Sequence, residues 1–127
     1  MFEILVIDDT KSVQAFVKSL LGKVKEIHIT SAMNGAEAME LIKKGEKFDL
    51  VFLDWEMPIM NGPETFQAMK DSHFVTPVIM MTTKNTSEDI EKMLMMGVSE
   101  YLMKPFTIDI IFEKIEFVTG KVFKYDV

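Results

Sequence analysis

Five short apolar runs, each followed by a stretch of helical periodicity, leave this chain few folds to choose from. The runs are Ile4–Ile7, Glu26–Thr30, Leu50–Leu53, Val78–Met81 and Tyr101–Met103. Runs this short, rich in β-branched and other apolar residues, read as buried strands. After each, apolar residues recur every three or four positions. The first such set is Val13, Phe16, Val17, Leu20 and Leu21, ended by Gly22. The next is Ala38, Leu41 and Ile42, ending near Gly45, and Phe66 with Met69 marks a third. The last is Ile108, Ile111, Phe112, Ile115 and Val118. Asn34 and Glu37 have the spacing of an N-cap and its reciprocal partner, and Pro63 suits a first helical turn. Ser87 is read as the cap of a fourth helix, with Glu88, Asp89 and Glu91 near its positive end and Gly97 at its close. The order is (βα)5, an α/β fold with a doubly wound parallel five-stranded sheet. At 127 residues, without internal repeat or linker, the chain is expected to be one domain spanning 1–127.

Three carboxylates stand where two of those strands stop. Asp8-Asp9 follows the first strand and Asp54 the third. Like charges disfavour one another's ionisation, and a hard cation such as Mg²⁺, which takes oxygen ligands, resolves that conflict. In open parallel sheets ligands sit beyond the carboxyl ends of the strands, where these acids are. The pattern points to phosphoryl chemistry. A net charge of −6 argues against a nucleic-acid partner, which needs a basic face. The absence of cysteine excludes disulfides, thiolate zinc sites and a Cys nucleophile. No apolar stretch approaches the length of a membrane span, and Met1-Phe2-Glu3 runs straight into the first strand. A cytoplasmic protein with no membrane partner is the expectation.

The strand ends carry a larger set. Thr82 follows the fourth strand, in Met80-Met81-Thr82-Thr83, and Lys104-Pro105-Phe106 follows the fifth. With ILVIDD, DLVFLDWEMPIMNG, PVIMMTT and GVSEYLMKPF in order, the chain resembles a response-regulator receiver domain, most closely a stand-alone one of the CheY type, over roughly Glu3 to Thr119. The sheet order 2-1-3-4-5 is implied by that resemblance alone.

The resemblance makes Asp54 the acceptor of a phosphoryl group from a sensor histidine kinase or phosphotransfer protein. Asp9 and Asp54 would ligate Mg²⁺ directly, Asp8 mostly through water, and Glu56 through its backbone carbonyl. Lys104 would contact the phosphoryl oxygens, and the family joins this Lys to Pro105 by a cis bond. Thr82 would be the switch, coupled to the ring of Tyr101. Pro58, Asn61 and Gly62 would be scaffold in the loop after the acceptor. Taken alone, without the surrounding motifs, Asp54 reads rather as a solvated or capping Asp, Lys104 as a loop lysine, Thr82 as a strand-end residue and Tyr101 as an edge aromatic. An Asp pair also reads as an N-cap, a role that Thr10 can fill.

Thr83 departs from the small residue that many receivers place after the switch Thr, and it would narrow the path to Asp54. Glu56 and Lys84 lie two positions after acceptor and switch, where the family tunes self-dephosphorylation, and they are expected to pair across the mouth. The tail from Gly120 to Val127 is too short for an output domain, so the signal is expected to leave through a downstream effector protein. The family's usual contact surface points to Met95, Met96, Tyr101, Ile110 and Phe117, with a wider buried face as the alternative. His28 and His73 lack ligand spacing. Two other classes fit less well. A dehalogenase-type phosphohydrolase needs a second Asp two residues after its nucleophile, whereas Thr10 follows Asp8 and Glu56 follows Asp54 at that spacing. A receiver that has lost its chemistry and only binds partners usually lacks the acceptor or the Lys, and both are present.

Overall fold

The structure, a computed structural model, describes residues 1–126; Val127, the end of the expected tail, lies outside the described residues. The strands are β1 (Phe2–Ile7), β2 (Ile27–Ala32), β3 (Leu50–Asp54), β4 (Val78–Thr82) and β5 (Glu100–Met103). The helices are α1 (Lys11–Leu21), α2 (Gly35–Lys43), α3 (Gly62–Asp71), α4 (Ser87–Met96) and α5 (Ile108–Thr119). All strand pairs are parallel, in the order β2-β1-β3-β4-β5. β1 starts two residues earlier than its apolar run, and β2 extends to Ala32, because each gains ladder partners there (Phe2 with Ile27, Ile7 with Ala32).

Period-two alternation sends successive side chains to opposite faces. Ile4, Val6, Phe52, Ile79 and Met81 join α1 and α5 in one core. Leu5, Ile7, Val51, Leu53 and Met80 join the α2, α3 and α4 side in the other. Every residue of β3 and β4 is buried, as a sheet covered on both faces requires. Each fully buried Leu, Ile or Val contributes about 1.5–3 kcal/mol, so register is strongly fixed. That register aligns the strand ends and hence the acids.

Several local expectations are corrected. The cap of α4 is Thr86, not Ser87, with Thr86 Oγ1 accepting from the backbone N–H of Asp89. Thr10 occupies the N-cap position of α1, but its side chain makes no capping bond; Asp8 Oδ1 accepts from the Thr10 N–H at 2.9 Å instead. Leu41 and Ile42 are only partly buried, and Met39 joins the expected Ala38 as the buried contact of α2. Phe16, placed in the core stripe by its spacing, is 44% exposed and lies beside Phe106, with ring centroids 5.6 Å apart. Asn34 caps α2 as expected, accepting from the Glu37 N–H, but the Glu37 carboxylate accepts from the Met33 N–H and not from that of Asn34; Asn61 and Glu64 form a reciprocal box at α3 that the sequence reading did not name.

The tail is more ordered than a short overhang. Gly120, at φ +75°, ends α5 in the left-handed conformation that glycine adopts without strain. Phe123 then packs edge-on against Phe2 and Phe112, and Tyr125 stacks on Phe112 at 4.4 Å while its hydroxyl donates to Asp109 Oδ1 at 2.6 Å. Residues 120–126 thus fold back over α5. No described helix is long and apolar enough to cross a membrane.

Candidate functional site

β1 and β3 pair through Ile7 and Leu53, so Asp8 and Asp54 leave adjacent strands side by side. Carboxylate oxygens of Asp8, Asp9 and Asp54 come within 4.8 Å of one another, the one such acidic group among the described residues. Asp8 is fully buried, Asp54 nearly so, and Asp9 is exposed. Lys104 reaches over from the end of β5, its Nζ donating to Asp8 Oδ2 at 2.8 Å and Asp54 Oδ1 at 3.0 Å. The Lys104–Pro105 peptide bond is cis. β4 and β5 stay joined at this end, because the Lys104 N–H donates to the Thr82 carbonyl at 2.7 Å. The Trp55 N–H likewise donates to the Met81 carbonyl at 3.0 Å.

One ammonium faces three carboxylates, and the imbalance appears in their protonation. Burial first, then the charge of Asp8, pushes the Asp54 carboxyl up from 3.8 to about 6. The hydrogen bond and charge of Lys104 pull it down without winning, and Asp9 adds a smaller upward push. For Lys104, burial favours the neutral form, but hydrogen bonds and charges from Asp8 and Asp54 outweigh it and hold its pKa above the ordinary lysine value. Uncompensated negative charge, all on oxygen, fits a hard divalent cation.

A cleft of about 280 Å³ opens over the site, lined by Asp9, Thr10, Asp54, Trp55, Glu56, Thr82, Thr83 and Lys104. Asp8 lies beneath, pinned by Thr10 and Lys104. Thr82 is buried, and its Oγ1 accepts from the Lys84 N–H at 2.9 Å; its own hydroxyl hydrogen is left to serve another acceptor. Glu56 and Lys84 do pair at the rim, at 3.6 Å, with Glu56 largely exposed. Pro58 leads into a tight turn in which the Met60 N–H donates back to the Pro58 carbonyl and Ile59 sits at φ +70°. Gly62 is more than a turn residue. A Cβ there would stand 2.5 Å from the Asp54 carbonyl oxygen and 2.8 Å from Trp55 Cα, so only glycine lets α3 start this close to the acid strand.

Tyr101, on β5, is half-buried against the α4-side core. Lys114 of α5 sits 4.6 Å from its ring centroid and pairs with Glu100 at 3.6 Å. This brace was not legible in sequence, since Lys114 lies on a different element from Tyr101 and Glu100. Of the expected partner-face residues, Met95, Ile110 and Phe117 are exposed, at 79%, 41% and 73%. Met96 is corrected: it is partly buried against the core, and neighbouring Leu94 is exposed in its place. His28 Nδ1 lies 2.6 Å from Glu3 Oε1, remote from the acids on edge strand β2.

The sequence matches the response regulator receiver domain family over residues 4–116. It is similar to a chemotaxis protein CheY homologue of Campylobacter jejuni, 32% identical over 120 residues, covering 93% of this chain and 92% of that protein. The chemotaxis protein CheY of Pseudomonas aeruginosa is 31% identical over 116 residues, covering 90% of this chain and 93% of that one. Among solved structures, the receiver domain of a Francisella response regulator superposes with a TM-score of 0.83 at 32% identity, covering 95% of this chain and all of that one.

Proposed function

This chain belongs to the response regulator receiver domain family, and on that premise we propose that Asp54 is its phosphoryl acceptor. A carboxylate oxygen of Asp54 attacks the phosphorus of a phosphohistidine on a sensor histidine kinase or phosphotransfer protein. The new O–P bond makes an acyl phosphate as the P–N bond breaks, and the imidazole leaves with a proton. The observation that carries this reading is the Lys104 ammonium within 3.0 Å of both Asp8 and Asp54, beside Asp9 and under an open cleft. It is a point charge where transferred oxygens would gather.

Asp8, Asp9, Asp54 and the Glu56 carbonyl would hold Mg²⁺. The ion would offset charge on the transferring group. Thr82 offers its free hydroxyl hydrogen to a phosphoryl oxygen and is drawn toward Asp54. Tyr101, the next strand's aromatic, responds and changes the surface around Met95, Ile110 and Phe117 that an effector protein reads, so that a local charge biases a two-state element. Glu56, Thr83 and Lys84, at the rim, govern water access and so the lifetime of the acyl phosphate. The chain is a phosphoacceptor with at most slow self-dephosphorylation, acting in the cytoplasm.

Intact mass spectrometry tests the assignment. Acetyl phosphate with Mg²⁺ should add about 80 Da, one phosphoryl group, to the wild type and nothing to Asp54→Ala. Equal labelling of both proteins would refute Asp54 as acceptor. No labelling of either would favour a receiver that only binds partners.

A further inference from the structure

Gln14 is polar, yet it lies on the buried stripe of α1 with Val17 and Leu21 and is only 8% exposed. Its Nε2 lies 3.1 Å from the Val6 carbonyl oxygen, 3.0 Å from that of Asp8 and 3.0 Å from that of Ala32. These three carbonyls cluster at the carboxyl ends of β1 and β2. Two N–H bonds serve three acceptors, so one hydrogen is shared. The other end of the amide is unserved, because Gln14 Oε1 is buried without a hydrogen-bond partner. A buried unpaired acceptor is unfavourable, and the amide cannot turn over without facing oxygen to three oxygens. The donor end therefore decides the residue.

We propose that Gln14 is a positioning residue for the cation site, its amide fixing the Asp8–Asp9 peptide and thereby the place where the Asp9 carboxylate stands. Asp8 is held at every other polar atom. Its N–H donates to Ala32, its Oδ1 accepts from Thr10 and its Oδ2 from Lys104. The remaining atom, the Asp8 carbonyl oxygen, is the one Gln14 holds. It belongs to the peptide whose next Cα bears the Asp9 side chain, so rotation about that peptide swings Asp9 away from Asp54. This inference rests on the reading of Asp8, Asp9 and Asp54 as Mg²⁺ ligands.

Mg²⁺ titrations of the full chain, followed by amide NMR shifts, test it. Gln14→Met keeps the side-chain length and removes the donors; Leu21→Val is a control for lost packing in the same helix. Gln14→Met should raise the Mg²⁺ dissociation constant about fivefold or more, while Leu21→Val leaves it unchanged. A Gln14→Met constant within twofold of wild type would overturn the proposal while leaving the ligand assignment intact. No titration of the wild type would overturn both. In the wild type, the Gln14 side-chain amide resonance should move on Mg²⁺ addition while that of Gln67, which bonds only Asp71 on an exposed surface, stays still. That measurement decides the matter if Gln14→Met does not fold, since an unmoved Gln14 amide overturns the proposal.

Discussion

Replacing Asp54 by Asn should make the metal-free protein more stable at neutral pH. The Asp54 carboxyl titrates near 6 in the folded chain against 3.8 unfolded, so folding holds an ionised group where it prefers to be neutral. A folded pKa above the unfolded one means the native state binds more protons between those values. Stability therefore falls as pH rises through that window, and the full penalty persists above it. At 1.36 kcal/mol per unit, the shift corresponds to about 3 kcal/mol. The side chain is only 9% exposed, so solvent screening removes little of it. That shift is already net of the hydrogen bond and charge of Lys104, and Asn, like a neutral carboxyl, still offers Lys104 an accepting oxygen. The gain of about 3 kcal/mol corresponds to a Tm higher by about 12 °C for a chain of this length. Thermal melts followed by circular dichroism in chelator, at pH 7.5 and again at pH 4, provide the assay. The advantage should be present at pH 7.5 and nearly gone at pH 4. Saturating Mg²⁺ should raise the wild type by about 2.7 kcal/mol at a hundred times the dissociation constant and the variant by less. A variant no more stable than wild type at pH 7.5, or equally advantaged at both pH values, would refute the charge argument.

Lys104→Met should do the reverse, lowering metal-free stability at pH 7.5 by about 3 kcal/mol because two buried carboxylates lose their counter-ion. That deficit should shrink on acidification, as urea melts at pH 7.5 and pH 5 would show. Gly62→Ala should cost about 2 kcal/mol, since its Cβ meets backbone that cannot move aside, and the backbone NMR shifts of Asp54 and Trp55 should change with it. Lys84→Ala should change the half-life of phosphorylated Asp54 more than twofold in a dephosphorylation time course; an unchanged half-life would remove the Glu56–Lys84 pair from that role. Tyr125→Ala should release the tail, seen as several-fold faster tryptic cleavage after Lys121 and Lys124 with little change at internal sites.

What could be read in advance was what repeats or clusters locally. Strand positions followed from uninterrupted apolar runs, and the acids were visible because they punctuate those runs. What escaped depends on separations the chain does not advertise. Gln14 was not singled out, though its place on the stripe with Val17 and Leu21 was a signal. A polar side chain on a core stripe needs buried partners, and it finds them on two strands. The tail escaped because Phe123 and Tyr125 alternate as strand residues do, yet they bury against α5 without joining the sheet. Phe16 was misplaced because helical spacing gives the direction of a face but not its width, and the groove beside Phe106 leaves that edge open. The Ser87 cap was displaced by one residue, a distinction between adjacent hydroxyls that only the backbone angle of Thr86 decides.

The backbone bond from Lys104 to Thr82 has a consequence for how such a protein can diversify. The two groups assigned to the phosphoryl oxygens hang from a single rung, so a substitution that shifts one strand end drags the other, and their effects should not add. Glu56 and Lys84 meet only through side chains at the rim, one of them mostly in water. A change at those rim positions should therefore alter signal lifetime without moving the rung beneath.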